Sequence, residues 1–312
     1  MLTSALALDE TITVDVNGSQ QRIRLCAARE GLPALLIVQH GPGFPVLHDV
    51  AKFQRRLDLE RDCLVAYWEQ RGCGNVPAAE ARRVTLEQQI QDLQAVIAWL
   101  AERTQQRVLL FGVSMGATIA LLAAARDASR VKAIIANAPD LHTQAGDAAV
   151  AAFLQEQVRR AGTQRLRRAL AKLGPPPYLD PRRFRRRAVL LTDFGTVERD
   201  TTFFSSLRET LIAMVRSYGV AGAVIALRNM NIIQGRMLAD VAPLDLLSDP
   251  PRIAVPVHML FGDRDALTAA FRHMDLGGTI GGSGSSMTRV PDAGHLVHFD
   301  RPDIVRSILE QA

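Results

Sequence analysis

Cysteine, lysine and long uninterrupted apolar runs are all scarce in this chain. The three cysteines, Cys26, Cys63 and Cys73, are odd in number and none pairs as C-x-x-C. Such a set builds neither a disulfide framework nor a zinc site, and it fits a reducing cytoplasm. No metal and no cofactor are expected. Only three of the 37 basic residues are lysine, so arginine carries the formal charge of +5. An excess that small on 312 residues argues against nucleic acid as a partner. The longest apolar run, Ala117 to Ala125, is too short to span a bilayer and reads as a core helix, so no membrane partner is expected. Met1 to Glu10 has neither a basic start nor an apolar core and is not expected to be a signal peptide.

What the chain does have is ordinary globular composition, 48% hydrophobic, and enough length for one large α/β domain with an insertion or for two domains. Thr11 to Val16 and Arg22 to Ala27 flank Asn17-Gly18, the dipeptide that a tight hairpin turn wants, so an N-terminal β-hairpin is predicted. Ala34 to Gln39 and Leu64 to Trp68 read as buried strands, with a helix over His48 to Leu59 between them. Leu86, Ile90, Leu93, Ile97 and Leu100 recur at helical spacing within Thr85 to Arg103, and Thr85 can cap that helix. Further strands are expected over Arg107 to Phe111, Val131 to Ala136, Val255 to Phe261 and Ser286 to Val290, and a last helix over Asp303 to Gln311. Strands alternating with helices predict a mostly parallel, doubly wound sheet. From Leu141 to Leu247 the pattern is helical. The chain therefore divides into a core, 1–140 and 248–312, and an inserted helical cap, 141–247, expected to lie over the carboxyl edge of the sheet as a lid. Gly277 to Ser286 reads as a flexible loop.

Gly112-Val113-Ser114-Met115-Gly116 is a G-x-S-x-G pentapeptide with a strand before it and a helix after it. That context makes a nucleophile elbow, which pushes the serine hydroxyl out at the end of the strand and aims the N-terminus of the next helix at the same point. A serine needs a base, and the base needs an orienting acid, in the chain order serine, acid, histidine. Phe261-Gly262-Asp263-Arg264-Asp265 follows one strand and Pro291-Asp292-Ala293-Gly294-His295 follows the last. Asp265 is favoured over Asp263, which stands in the turn directly behind Gly262. His295 is favoured over His298, which stands near the final helix. Gln39-His40-Gly41-Pro42-Gly43 follows the early strand. Pro42 has no N–H, so the oxyanion donors are expected to be the backbone nitrogens of Gly41 and Met115.

Gly41-Pro42-Gly43, Trp68-Glu69-Gln70-Arg71-Gly72-Cys73-Gly74, the elbow, the Gly-x-x-Asp and the Gly-His together resemble the proline iminopeptidase branch of the α/β-hydrolases. That branch carries an H-G-G-P-G loop and a D-Q-R-G-x-G turn. Here Gln39 and His40 stand where it has histidine and glycine, and Glu69 replaces its aspartate. The resemblance implies an α/β-hydrolase fold and, in aminopeptidases, acidic lid residues that hold the substrate's free amine. Glu156, Glu198 and Glu209 are the candidates for that role, while Glu69 and Arg71 are expected to brace the loop.

The expected activity is that of a serine hydrolase acting through Ser114, His295 and Asp265 on an ester or amide of a small apolar molecule or short peptide. Resemblance favours an aminopeptidase; the basic insertion favours an esterase, lactonase or thioesterase. Phe153, Tyr178, Phe184, Phe194, Phe203, Phe204 and Tyr218 offer an apolar pocket, and Arg165, Arg167, Arg168 and Arg182 to Arg187 make the insertion basic. His40 keeps open a non-hydrolytic use of the site, as a lyase, acyl transferase or cyclase. A binding protein with a dead site is the third alternative. The oligomeric state is left open.

Overall fold

The computed structural model describes residues 6–311. Strands β1 (Leu8–Val16) and β2 (Ser19–Ala27) pair antiparallel through Asn17 and Gly18, with φ of 50° and 76°. Positive φ at both central residues is the two-residue turn that matches strand twist. The other strands are β3 (Ala34–Val38), β4 (Leu64–Glu69), β5 (Val108–Val113), β6 (Val131–Asn137), β7 (Val257–Gly262) and β8 (Ser286–Val290). The sheet runs β1-β2-β4-β3-β5-β6-β7-β8, parallel from β4 onward. Strands β3 and β5 are buried along their whole length, as befits strands covered on both faces. The chain steps one way from β3 to β4 and then back across β3 to β5, so the strand order reverses between β3 and β5. Open α/β sheets bind ligands at such a switch point, beyond the carboxyl ends of the strands.

Helices α1 (Val50–Leu57), α2 (Ala78–Arg82), α3 (Leu86–Thr104) and α4 (Met115–Arg126) follow the early strands. Thr85 caps α3 by accepting from the Gln88 N–H at 3.1 Å. Leu93, Val96 and Leu100 of α3 and Ile119 of α4 pack with Leu36, Val38 and Leu110 on one face of the sheet. On the other face, Val50 and Phe53 of α1 join Val305 of α11 (Pro302–Gln311), Leu35, Ile37 and Phe111. The two faces explain the side-chain alternation within β3 and β5.

Between β6 and β7 lie α5 (Thr143–Ala161), α6 (Gln164–Leu173), α7 (Pro181–Asp193) and α8 (Phe203–Val241). Val150, Leu154, Leu173, Tyr178 and Leu191 give α5 to α7 a small core of their own. Helix α8 bends at Gly219, whose φ of 69° and ψ of 172° interrupt the helical run. Beyond the bend Ile233, Met237 and Val241 enter the main core. Its 39 residues include an 18-residue window with mean hydropathy 1.7, long and apolar enough to cross a membrane. The helix after the serine is therefore not the longest apolar segment. Isolated arginines at 208, 216 and 228 divide α8 to the eye without lowering its mean much.

The Gly277 to Ser286 segment is also more ordered than composition suggests. It forms one helical turn, α9 (Gly277–Ile280), anchored by buried Ile280, and Ser285 Oγ accepts from the Val257 N–H at 3.0 Å. The short helix α10 (Val297–Asp300) leads into α11.

Candidate active site

Ser114 sits between β5 and α4 with φ of 53° and ψ of −123°, a conformation that costs energy for a residue with a side chain. Packing enforces it. A Cβ on Gly116 would fall 2.1 Å from the Val38 carbonyl oxygen, and one on Gly112 would fall 2.4 Å from Ala117 Cα. Only glycine lets α4 start this close to β3 and β5. The Ser114 N–H is held by the Asn137 carbonyl at 2.8 Å.

Asp265 is fully buried behind β7. Its carboxylate accepts from the Leu267 N–H and the Thr268 hydroxyl, each at 2.8 Å, and lies 2.8 Å from His295 Nδ1. His295 follows β8 in a loop whose backbone is pinned to the insertion: its N–H bonds Thr196 O at 2.8 Å and the Leu296 N–H bonds Val197 O at 2.7 Å. A Cβ on Gly262 would lie 2.1 Å from Gly294 O, so the two loops meet backbone to backbone. Asp263, by contrast, pairs outward with Arg289 at 3.1 Å. His298 is buried between Phe53, Phe111 and Phe299, beside Asn137 Oδ1 at 3.2 Å. Burial holds its imidazole well below the ordinary histidine value, hence neutral.

Gly41 and Met115 line the same cavity as Ser114 and His295. Among the described residues neither backbone N–H has an acceptor. Met115 opens α4, where the first N–H groups have no intrahelical partner. Glu69 and Arg71 stand off the cavity and hold its surroundings. Glu69 accepts from the Val46 N–H at 2.9 Å, Arg22 at 3.1 Å and the Tyr218 hydroxyl at 2.9 Å, which ties the early loop to α8. Burial raises its carboxyl above the usual range despite Arg22. Arg71 pairs with buried Asp92 at 2.6 Å and donates to Val16 O at 3.0 Å, fastening the hairpin to α3.

The cavity measures about 390 Å³ and its walls are mainly apolar. Tyr178, Phe184 and Phe203 contribute, joined by Phe44, Met214 and Phe271. Phe153 and Phe194 pack on each other instead, Phe204 points to solvent and Tyr218 serves Glu69. The acids along the walls already have partners. Glu198 takes Lys52 at 2.6 Å, Asp49 accepts from Gln39 at 2.8 Å, Asp147 pairs with Arg187, and Asp140 accepts from Thr143 at 3.0 Å. Loss of solvent also raises the Asp140 carboxyl above its ordinary value. Glu156 lies outside the cavity, bound to Arg159 and Arg160, and Glu209 pairs with Arg55 at 3.0 Å. Most arginines of α7 act as stitches. Arg183 donates to Leu173 O at 2.9 Å and Arg186 to Lys172 O at 3.0 Å.

Asn137 is the site residue that sequence reading passed over. Its Nδ2 donates to His295 O at 2.8 Å and its Oδ1 accepts from the His298 N–H at 3.1 Å. Together with its carbonyl on Ser114, this one side chain and backbone couple the serine and histidine loops. The signal was a polar residue closing the apolar run Val131 to Ala136. Lys52, Asp140 and Asp147 were also missed. Single charges scattered through helices give no motif.

Eight strands in this order, a strained serine after β5 and a histidine–aspartate pair after β8 and β7 define an α/β-hydrolase. The sequence model of the serine aminopeptidase S33 family matches residues 50–302, and the chain belongs to that family of hydrolases. No curated protein sequence matches. Among solved structures, a proline iminopeptidase-related protein of Thermus thermophilus is similar at 19% identity, covering 97% of this chain and 96% of that one, with a TM-score of 0.61. The proline iminopeptidase of Mycobacterium smegmatis is similar at 16% identity, with 97% of each chain covered and a TM-score of 0.63. Carboxylesterase CesB of Bacillus subtilis is similar at 15%, covering 97% and 90%, with a TM-score of 0.56. At these identities the likeness is one of fold.

Proposed function

We propose that this chain is a serine hydrolase for neutral, apolar acyl esters or thioesters, with α5 to α8 as a cap that walls the acyl pocket. The observation that carries the reading is the Asp265–His295 hydrogen bond of 2.8 Å in the same cavity as Ser114. Ser114 Oγ attacks the acyl carbonyl while His295 Nε2 takes its proton. Asp265 holds the Nδ1–H tautomer and stabilises the imidazolium. The Gly41 and Met115 N–H groups take the oxyanion. His295 then protonates the leaving oxygen or sulfur. Water, deprotonated by His295, cleaves the acyl-enzyme and frees Ser114.

The choice of an acyl ester over a free aminoacyl group rests on charge. A substrate ammonium needs an acid to meet it; two wall acids are ion-paired with Lys52 and Arg187, and Asp140 and Asp49 already accept from Thr143 and Gln39, Asp140 with its carboxyl raised by burial toward the neutral form. An unanswered ammonium in an apolar cavity costs several kcal/mol. His40, which lines the cavity beside Gly41, favours acyl transfer to a nucleophile other than water as the second reading.

The test is fluorophosphonate labelling followed by a panel of p-nitrophenyl acyl esters and aminoacyl anilides. Ser114 should be labelled, and acyl esters should outpace prolyl and lysyl anilides. Ser114→Ala should lose labelling and on the order of 10⁴-fold or more in rate while keeping its fold. Full activity in that variant sinks the serine mechanism. Prolyl anilide as the better substrate sinks the acyl-ester reading.

A further inference from the structure

Helix α8 carries some side chains to the cavity and others to solvent. Phe203, Met214, Met230 and Leu238 line the catalytic cavity. Phe204, Leu211, Ile212, Val215, Val220 and Val224 stand in solvent, with Phe204 76%, Val220 71% and Val224 63% exposed. Among the described residues, the only large exposed apolar side chain outside α8 is Met274. Soluble proteins scatter such residues singly, and a contiguous row marks a binding surface. Leu207 belongs to both sets, exposed and lining the cavity, so the apolar row reaches the cavity wall.

The charges beside the row identify what covers it. Arg208 and Arg216 stand four residues either side of Ile212, and Arg228 stands four beyond Val224, so one helical turn separates each from the apolar row. All three are exposed, and among the described residues none has an ion-pair or hydrogen-bond partner. In α7, by comparison, Arg183, Arg185, Arg186 and Arg187 are spent on carbonyl oxygens and Asp147, and Arg182 alone is exposed without a side-chain partner among the described residues. From Phe204 to Leu238 helix α8 has one acid, Glu209, which pairs with Arg55. A two-fold pairing of this face with itself would set arginines against arginines. An apolar row with unpaired arginines along it instead complements apolar chains under a layer of phosphates.

We propose that the outer face of α8 docks on an anionic lipid bilayer, lying in the plane of the headgroups. The helix does not span the membrane. Its inner face is committed to the protein: Tyr218 to Glu69, Asn229 to Gly74 O and Val76 O, and Ile233, Met237 and Val241 to the core. Docked this way, the cavity wall faces the lipid, and the enzyme draws its apolar acyl substrate from the bilayer. That consequence rests on the acyl hydrolase reading; the docking does not.

Flotation of the full chain with vesicles tests it. Protein should float with an equal mixture of phosphatidylglycerol and phosphatidylcholine and far less with phosphatidylcholine alone. Ser114→Ala protein should float as the wild type does, which separates this claim from the catalytic one. Val220→Ser with Val224→Ser changes no residue that lines the cavity and should abolish flotation while leaving the circular dichroism unchanged. Arg208→Gln and Arg216→Gln should each weaken binding about five-fold at low salt, and less at high salt. Absence of flotation with either vesicle, or undiminished flotation of the Val220/Val224 variant, overturns the proposal. So does a dimer in gel filtration that the same variant converts to monomer without any lipid binding, which would make a second copy the occupant.

Discussion

Two carboxylates two residues apart show how position decides chemistry. Asp263 and Asp265 are alternatives in the sequence, but β7 ends between buried loops and a surface. Asp263 emerges beside Arg289, while Asp265 turns inward, where a backbone N–H, a hydroxyl and His295 converge on it. If Asp265 orients His295, Asp265→Asn reverses the hydrogen-bond sense at Nδ1 and disfavours the tautomer that can accept the serine proton. The expected loss in kcat is on the order of 10⁴-fold, whereas Asp263→Asn should stay within a few-fold of wild type. Steady-state kinetics on the best ester, with melting curves for both variants, check the pair. A larger loss in Asp263→Asn would reverse the assignment.

At the scale of elements, glycines set how closely strands and helices approach. Gly116 lets α4 begin against the Val38 and Gln39 carbonyls. In Gly116→Ala either the backbone of β3 or the elbow must move. The expected cost is about 3 kcal/mol, at the upper end for overpacking, together with loss of activity. Gly235, in the second half of α8, is a control, because its nearest neighbour, Pro181 Cγ, would stand at an ordinary 3.6 Å from the new Cβ. There Gly235→Ala should be neutral or stabilise by up to about 1 kcal/mol through helix propensity. Urea denaturation of the two variants separates contact from propensity, and equal effects would refute the packing account of the elbow.

Across the whole molecule, histidines that lose part or all of their contact with water tie stability to pH. Desolvation lowers His40 to about 4 and holds His298 well below its ordinary 6.5. Such groups are neutral in both states above pH 6.5 and impose no penalty there. Below it, the unfolded chain binds protons that the folded chain refuses, so stability falls with pH down to each folded value. The slope is up to about 1.4 kcal/mol per pH unit for each histidine. Glu69 and Asp140, raised by desolvation, have the opposite sign and offset the loss as pH nears the ordinary carboxylate range. His40→Asn should therefore flatten the fall in urea midpoint between pH 6.5 and 5. An unchanged slope would show that His40 takes up its proton without cost.

The sequence by itself determined what depends on near neighbours in the chain. Asn17-Gly18 makes a hairpin because both residues tolerate positive φ, Thr85 starts α3 because its oxygen meets an N–H three residues on, and an apolar run between turns is a buried strand. The G-x-S-x-G elbow belongs here too, since its strain and its helix are local. The S33 family follows from such motifs in order. Tertiary structure alone decided what depends on residues far apart. Strand order set β3 beside β5 and so brought Gly41 and Met115 to one cavity. Asn137 became a bridge between the Ser114 and His295 loops only when β6 lay between β5 and β7. The acids of the cavity were answered one by one by Lys52, Arg187, Thr143 and Gln39, pairings that only packing creates. Helix α8 shows the same division. Its hydropathy is a property of the sequence, but which side chains turn to the cavity and which to solvent was settled by the bend at Gly219 and the surfaces it packs against. Burial is a sum over the whole fold, and no window of sequence contains it.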